Sequence, residues 1–325
     1  MTLSGDIVQE YINRFPKTPN LTLARKIHKE NSMVFRNIEV ARNAVRYSRG
    51  ALGKDNRKSK NINSILTPKF AIPEGDNINY EPYIISDELK TGALLYDIHF
   101  PYHDKKVLDA ALTYIYNSHP DFMLLVGDIA DFHQISFFER DPRKKKIVQE
   151  LKMLEYFFAE LRLNFPGVEI IYKLGNHEER YDRFIMQKAP ELFDIEQIQL
   201  KNILNLEKHN IALVDNKRII RYCHLNIIHG HEYKFNISNP VNPARGIFLR
   251  THKITTAGHF HQASEHNETS INGDKITCWS AGCLCDLHPQ WMPLNKWGHG
   301  FQTIKCNDKG MWQLTNHKII NGEVI

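Results

Sequence analysis

The stretch Gly92-Ala93-Leu94-Leu95-Tyr96-Asp97-Ile98-His99 indicates the architecture expected for most of this chain. Its first five residues are small or apolar and predict a buried strand, and two side chains of metal-binding type follow directly. In an extended segment residues i and i+2 point the same way, so Asp97 and His99 can share one metal ion. We therefore expect this strand to end at a functional edge of a sheet.

The same arrangement, an apolar strand followed directly by Asp, Asn or His, recurs four more times. The four motifs are Gly127-Asp128 with Asp131, Gly175-Asn176-His177-Glu178, His229-Gly230-His231, and Gly258-His259-Phe260-His261. Sites in α/β sheets assemble at the carboxyl ends of the strands, so these side chains are expected at one edge. Mixed oxygen and imidazole donors favour Mn, Fe, Zn or a similar divalent ion over a thiolate site.

The spacing of the apolar runs predicts an α/β protein with a separate N-terminal unit. From residue 93 strands alternate with helical stretches at 104–118 and 142–164, which indicates parallel strands. After residue 209 the strands follow one another closely, with one helix near 244–250. We expect a basic helical module at 1–52, a polar linker at 53–64 and one large domain at 65–325.

The amino-acid composition indicates the class of protein. Of 325 residues, 42% are hydrophobic and 24% are charged, which is typical of a globular protein. No run of eighteen apolar residues and no basic-then-apolar leader is present, so neither a membrane span nor a secretory signal is expected. The five cysteines form no C-x-x-C pair, which favours reduced thiols and a cytoplasmic location. Cys283 and Cys285 are interpreted as ordinary buried cysteines.

The N-terminal module is basic. Residues 1–60 hold 13 Lys and Arg against 5 Asp and Glu, whereas the rest of the chain is mildly acidic. Its third predicted helix carries an apolar row and a separate row formed by Arg42, Arg46 and Arg49. A short helix with a basic face is typical of helix-turn-helix units, so these arginines are candidate contacts to DNA or RNA. The alternative is a helical unit for dimerisation or packing.

The ordered series D-x-H, G-D-x-x-D, G-N-H-E, H-G-H and G-H-x-H resembles the calcineurin-like metallophosphoesterase superfamily, over roughly residues 92–320. The segments 175–181, 279–286 and 295–301 also resemble a subgroup common in bacteriophages and mobile elements. The resemblance implies a four-layer αββα sandwich of two mixed sheets with the ligand loops at one edge. It further implies an enzyme of the host cytoplasm, if the chain is phage-encoded.

The resemblance also implies roles for single residues. Asp97, His99 and His261 would hold a first metal, Asp128 would bridge, and Asn176, His229 and His259 would hold a second. The metals would be two divalent ions, Mn foremost, with Fe, Zn, Ni or Co as alternatives. His177 would contact the phosphate and donate the proton, and Asp131 would orient either a metal ligand or His177. The ligand role in the fourth motif stays open between His229 and His231.

The implied activity is phosphoester hydrolysis by in-line attack of a metal-bridging hydroxide, with His177 as general acid. A phosphodiesterase or nuclease acting on nucleic acid is the leading interpretation. Candidate phosphate contacts are Arg180, Arg245 and, if it is not a ligand, His231. Two alternatives remain: a phosphomonoesterase acting on phosphoprotein or nucleotide, and a nucleic-acid-binding adaptor with a structural metal site.

Overall fold

The computed structural model describes residues 3–50, 75, 80–138, 140–215, 217–233 and 241–325. The chain divides into two compact units, Met1–Asn77 and Ile78–Ile325, each described by itself below. The linker predicted at 53–64 lies outside the described residues. Within the described ranges, no helix is both long enough and apolar enough to cross a membrane.

The described residues of the first unit form three helices, as the apolar spacing predicts. They are α1 (Leu3–Arg14), α2 (Asn20–Glu30) and α3 (Ile38–Ser48). Asn37 caps α3 by accepting a hydrogen bond from the backbone N–H of Val40 at 2.9 Å. The helices share one small core, formed by Val8, Leu23, Ala24, Ile27, Phe35, Ala41 and Val45. Each helix thus buries one apolar face and leaves its polar face to solvent.

The second unit contains two β-sheets and the remaining helices. The strands are β1 (Tyr83–Ile84), β2 (Thr91–Leu95), β3 (Phe122–Val126), β4 (Glu169–Lys173), β5 (Ile211–Val214), β6 (Ile220–Tyr222), β7 (Leu225–Ile228), β8 (Thr255–Ala257), β9 (Ser264–Thr269), β10 (Lys275–Ser280), β11 (Gly300–Cys306), β12 (Trp312–Ile320) and β13 (Glu323–Val324). The α-helices are α4 (Lys105–Ser118), α5 (Ile147–Asn164), α6 (Glu179–Lys188), α7 (Leu200–Ile203) and α8 (Pro243–Thr251), and short 3₁₀ turns lie at His133–Ile135, Pro190–Leu192 and Glu196–Ile198.

Both sheets are mixed. One has the order β13-β12-β11-β2-β3-β4-β5, in which β2 to β5 are parallel and β11 and β12 antiparallel. The other has the order β1-β6-β7-β8-β10-β9, with β7, β8 and β10 parallel. The strands that the sequence predicts to precede the polar motifs, β2, β3, β4, β7 and β8, are all among the parallel ones. Their carboxyl ends therefore bring those motifs to the same edge.

The strands are buried because the two sheets pack against each other and each has helices on its outer face. All five residues of β3 are buried. Phe122, Leu124 and Val126 belong to the core between the two sheets, whereas Met123 and Leu125 belong to the core under α4 and α5. On the outer face of the second sheet, α8 buries its apolar side against β7, β8 and β10. The αββα sandwich expected from the motifs is therefore confirmed.

Candidate metal centre

The loops that carry the motifs have an unusual backbone. Five predicted ligands have positive φ between 50° and 69°, a region that residues other than glycine adopt uncommonly. They are Asp97, His99, Asp128, His259 and His261. Such conformations cost about 1–3 kcal/mol each and are found mostly at functional sites. The positive φ changes the direction in which each polar side chain points, just after its strand ends.

Two glycines of the motifs are needed for close approach. A Cβ on Gly175 would lie 2.2 Å from Oδ1 of Asp128, and one on Gly127 would lie 2.4 Å from Nδ1 of His229. Gly127 also has a φ of 79°. A side chain at either position would push the loops apart, so these glycines let three strand ends meet.

Asp128 lies at the centre of the cluster and is almost fully buried. Its Oδ2 atom is 3.3 Å from Nε2 of His229, 3.8 Å from Nε2 of His177 and 3.9 Å from Nε2 of His99. The three histidines follow three different strands. Asp128 therefore takes part in two groups of donor atoms, one with His99 and His177 and one with His229 and His259.

Asp97 is the second carboxylate of the cluster that faces histidine side chains. Its Oδ1 atom lies 3.3 Å from Nε2 of His261 and 4.0 Å from Nε2 of His99, and these two nitrogens are 3.2 Å apart. This oxygen is buried and accepts no hydrogen bond from the described part of the chain. Oδ2 accepts the backbone N–H of His259 at 2.8 Å. A buried carboxylate oxygen without a donor, beside convergent imidazole nitrogens, is an arrangement that a cation would satisfy.

His229 occupies the position expected of a ligand, and His231 does not. Nδ1 of His229 lies 2.9 Å from the carbonyl oxygen of Val126, which leaves Nε2 for the cluster. That Nε2 lies 3.2 Å from the side-chain oxygen of Asn176. Nε2 of His231 instead lies 2.8 Å from Oε1 of Glu179. This geometry favours His229 as the ligand of the fourth motif.

The charges of the cluster suit metal binding. Burial alone would raise the pKa of Asp128, but the neighbouring His177 and His229 hold it well below its usual value, so the carboxylate stays ionised. Burial, helped by His229, lowers the pKa of His259 to about 4 and keeps its imidazole neutral. Ionised carboxylates and neutral imidazoles are the forms that bind divalent metals. Burial opposes protonation of His229, but Asp128 outweighs it and raises its pKa to about 10, so a metal bound there would displace a proton from the ring. With that proton displaced, the donor set fits a divalent ion.

His177 is held between two carboxylates and one arginine. Its Nδ1 lies 3.0 Å from the carbonyl oxygen of Asp131 and 3.3 Å from Oδ2 of the same residue. Arg180 lies 2.9 Å from Nε2 of His177 and donates to the carbonyl oxygen of Asp131 at 2.7 Å. Burial and Arg180 lower the pKa of His177, but Asp128 and Asp131 outweigh them and raise it. His177 is thus set up to carry a proton.

The other predicted contacts belong to none of these donor groups. Arg245 is exposed on α8. Arg42 pairs with Glu39 at 3.5 Å, and Arg46 is half-buried on the same helix. Arg49 donates to the carbonyl oxygens of Phe15, Pro16 and Thr18 and to the side chain of Asn20, at 2.6–3.2 Å. The guanidinium of Arg49 therefore joins α3 to the turn between α1 and α2.

Glu178 is a central residue that sequence reasoning missed. It is fully buried and accepts the backbone N–H groups of Asp128, Ile129, Ala130 and Gly175 at 2.7–2.9 Å. It also accepts the hydroxyl of Tyr172 at 2.7 Å. One carboxylate therefore joins the loop after β3 to the loop after β4. Its position at the end of the Gly-Asn-His-Glu motif was the available signal.

A buried ion pair supports the fourth motif in a similar way. Glu232 accepts the backbone N–H groups of His229 and Gly230 at 2.9 and 2.6 Å. It also lies 2.8 Å from Nζ of Lys173, which is fully buried at the end of β4. Burial opposes ionisation of Glu232, but Lys173 and His231 outweigh it and lower the pKa to about 2. The His229 loop is thus anchored to the neighbouring sheet.

Known proteins similar to this chain include two phage proteins. The Gene 54 protein of Mycobacterium phage L5 is 23% identical over 192 residues, which are 57% of this chain and 74% of that protein. The Gene 54 protein of Mycobacterium phage D29 is 24% identical over 124 residues, which are 36% of this chain and 48% of that protein. No family model matches the chain. The phage origin of both relatives agrees with the subgroup that the motifs resemble.

Similar solved structures were also found. Vacuolar Protein Sorting 29 from Cryptosporidium parvum is 12% identical, with a TM-score of 0.38 over 73% of this chain and 95% of that one. YfcE, a phosphoesterase from E. coli, is 11% identical, with a TM-score of 0.32 over 69% and 98%. A dimetal phosphatase from Danio rerio is 14% identical, with a TM-score of 0.34 over 68% and 93%. Similarity at this level says nothing of what this chain binds or hydrolyses.

The role of Glu178 leads to a stability prediction. In Glu178→Gln the amide nitrogen would face backbone N–H groups that now donate to a carboxylate oxygen, leaving buried donors unpaired. We expect the free energy of unfolding to fall by about 3 kcal/mol, the scale of a broken buried charged network. Urea unfolding followed by circular dichroism measures the change. The exposed Glu207→Gln is the matched control; an equal, small effect of both would contradict the assignment.

Proposed function

We propose that this protein is a binuclear metal-dependent phosphoester hydrolase that acts on nucleic acid as a phosphodiesterase or nuclease. The observation that carries the proposal is the position of Asp128. Its one carboxylate faces histidines from three strand ends, and it is grouped both with His99, of the first proposed metal site, and with His229 and His259, of the second. A structural metal site needs a single closed set of donors, whereas a shared carboxylate is what two neighbouring metals require.

The metals would be held by residues that already converge. Asp97, His99 and His261 would hold one, Asn176, His229 and His259 the other, and Asp128 would contact both. Bound divalent ions, with manganese as the proposed metal, would stabilise the negative charge of a phosphate. They would also provide a nucleophile at neutral pH. The remaining side chains of the site would then orient the phosphate and donate one proton to the leaving oxygen.

His177 is the proposed proton donor. Asp131 fixes its ring through Nδ1, so that Nε2 faces the cluster. Arg180 now contacts that Nε2 and opposes its protonation. A substrate phosphate would offer Arg180 a stronger acceptor, since a guanidinium pairs well with phosphate oxygens. Release of Nε2 by Arg180 would then favour the protonated form of His177 at the moment a leaving oxygen needs a proton.

The nucleic-acid substrate is supported by charge. The basic excess lies in residues 1–60, outside the proposed metal site. Such a module can hold a polyanion while the second unit performs the chemistry. The described cysteines are all free thiols, which supports action in the host cytoplasm.

The metal assignment is tested by Asp128→Asn. The substitution keeps the shape of the side chain but removes the charge shared by both metals. We expect bound manganese, measured by plasma mass spectrometry, to fall together with hydrolysis of bis-p-nitrophenyl phosphate, the latter by about 100-fold or more. Asp109→Asn, an exposed change on α4, is the matched control. Full activity with normal metal content in Asp128→Asn would rule out the binuclear assignment.

The proton-donor role is tested by His177→Asn. We expect metal content to be retained and kcat on DNA to fall by about 10²–10⁴-fold, the usual contribution of a general acid. The loss should be smaller with p-nitrophenyl esters, because p-nitrophenolate leaves without a proton. An equal loss on both kinds of substrate would contradict proton donation.

The substrate class is tested with the manganese-loaded chain on four substrates. They are bis-p-nitrophenyl phosphate, p-nitrophenyl phosphate, single-stranded DNA and double-stranded DNA. A chain lacking residues 1–60 should lose DNA cleavage and keep hydrolysis of the small diester. Activity on the monoester alone would replace the proposal with a phosphomonoesterase.

A further inference from the structure

A pair of tryptophans extends from the predicted metal cluster to the protein surface. The ring of Trp297 lies 4.1 Å, centroid to centroid, from the ring of His261. Trp291 lies 5.6 Å from Trp297 in an edge-to-face arrangement, and 71% of its surface is exposed. Both belong to the segment 286–299 between β10 and β11, to which the proposed chemistry assigns no role.

The segment is held in one conformation by its own hydrogen bonds. The side-chain amide of Asn295 donates to the carbonyl oxygens of Leu287 and Met292, at 2.6 and 2.9 Å, and its oxygen accepts the N–H of Trp297 at 2.8 Å. The N–H of Gly298 donates to the carbonyl oxygen of His261 at 2.8 Å. The backbone on which the two rings stand is therefore held by hydrogen bonds before any ligand binds, which lowers the entropic cost of binding.

Exposure alone would not make Trp291 a binding residue, because single exposed apolar side chains are common. Its position makes the difference. Trp291 is in contact with Trp297, and Trp297 is in contact with a predicted metal ligand, so a molecule bound at the cluster lies beside the pair. The exposed Lys296, next to Trp297 in sequence, adds a positive charge. Aromatic rings beside a cation match the bases and phosphates of a single strand.

We propose that Trp291 and Trp297 form a stacking subsite for an unpaired nucleobase of the nucleic acid whose phosphate lies at the Asp128 cluster. This rests on the proposed function and narrows its substrate class to single-stranded nucleic acid. In a duplex both faces of each base are covered by neighbouring bases, so a duplex offers this subsite nothing to stack.

The experiment compares two inhibitors of bis-p-nitrophenyl phosphate hydrolysis by the manganese-loaded full chain. One is a thymidine hexanucleotide, and the other is the same hexanucleotide backbone without bases. Stacking on an aromatic side chain contributes about 1–3 kcal/mol per base, so the wild type should bind the thymidine oligomer about 5- to 150-fold more tightly than the abasic one. Competition at the site reports this ratio even if the oligomers are also cleaved.

The variants locate the effect. In Trp291→Ala the ratio should fall towards one, with the inhibition constant of the abasic oligomer unchanged, which also shows that the site is intact. Trp291→Phe should keep most of the ratio, because a phenyl ring still stacks. Leu294→Ala is the matched control, since Leu294 is 92% exposed in the same segment and belongs to no proposed contact.

Two results would overturn the subsite: equal inhibition by both oligomers in the wild type, or an unchanged ratio in Trp291→Ala. If the wild type fails to hydrolyse bis-p-nitrophenyl phosphate, it is the proposed function that fails. The same two oligomers, fluorescently labelled, are then compared by anisotropy with wild type and Trp291→Ala. Loss of the base-dependent affinity in the variant would support the subsite, and its persistence would refute it.

Discussion

The carboxylate of Glu178 is the constraint on which the candidate site depends. Four backbone N–H groups from the loops after β3 and β4 converge on it inside the fold. This fixes the main chain on both sides of Asp128, whose own side chain accepts the N–H of His177 at 2.9 Å. The backbone donors stabilise the buried charge of Glu178, and Glu178 in turn helps to hold Asp128 at its positive φ. The positions of Asp128 and His177 follow from that network.

Without a bound ligand, the cluster around Asp97 and Asp128 lowers the stability of the fold. It buries two carboxylates and several imidazoles, leaves Oδ1 of Asp97 without a hydrogen-bond donor in the described residues, and places ligand residues at positive φ. Stability alone would be better served by apolar side chains of similar volume. Bound divalent ions would offset these costs, because they would supply a positive charge to both carboxylates, Oδ1 of Asp97 included, and would bind the facing nitrogens of His99 and His261.

Much of this organisation could be predicted from the sequence, and the reasons are local. The apolar runs at β2, β3 and β4 predict buried strands and therefore which edge of the sheet the following polar residues reach. The direction of the side chains could not be predicted, because Asp97, His99 and Asp128 have positive φ and are not extended. The motif marks Glu178, but the link that it makes between two loops could not be predicted, because three of its backbone donors lie about fifty residues earlier in the chain. The pairing of Lys173 with Glu232, the tie made by Arg49 and the Trp291–Trp297 pair depend on tertiary packing in the same way. The spacing of apolar residues indicates on which face of a helix or strand a residue lies, but not which distant residue it contacts.

Two metals beside one shared carboxylate is the central claim, and it distinguishes an open catalytic centre from a single structural site. The most direct measurement is anomalous diffraction from crystals of the manganese-loaded protein. The account predicts two peaks of anomalous density per chain, one on each side of Asp128, with His99 and His261 at one and His229 and His259 at the other. A single peak enclosed by four ligands, or no peak at this edge of the sheets, would contradict it.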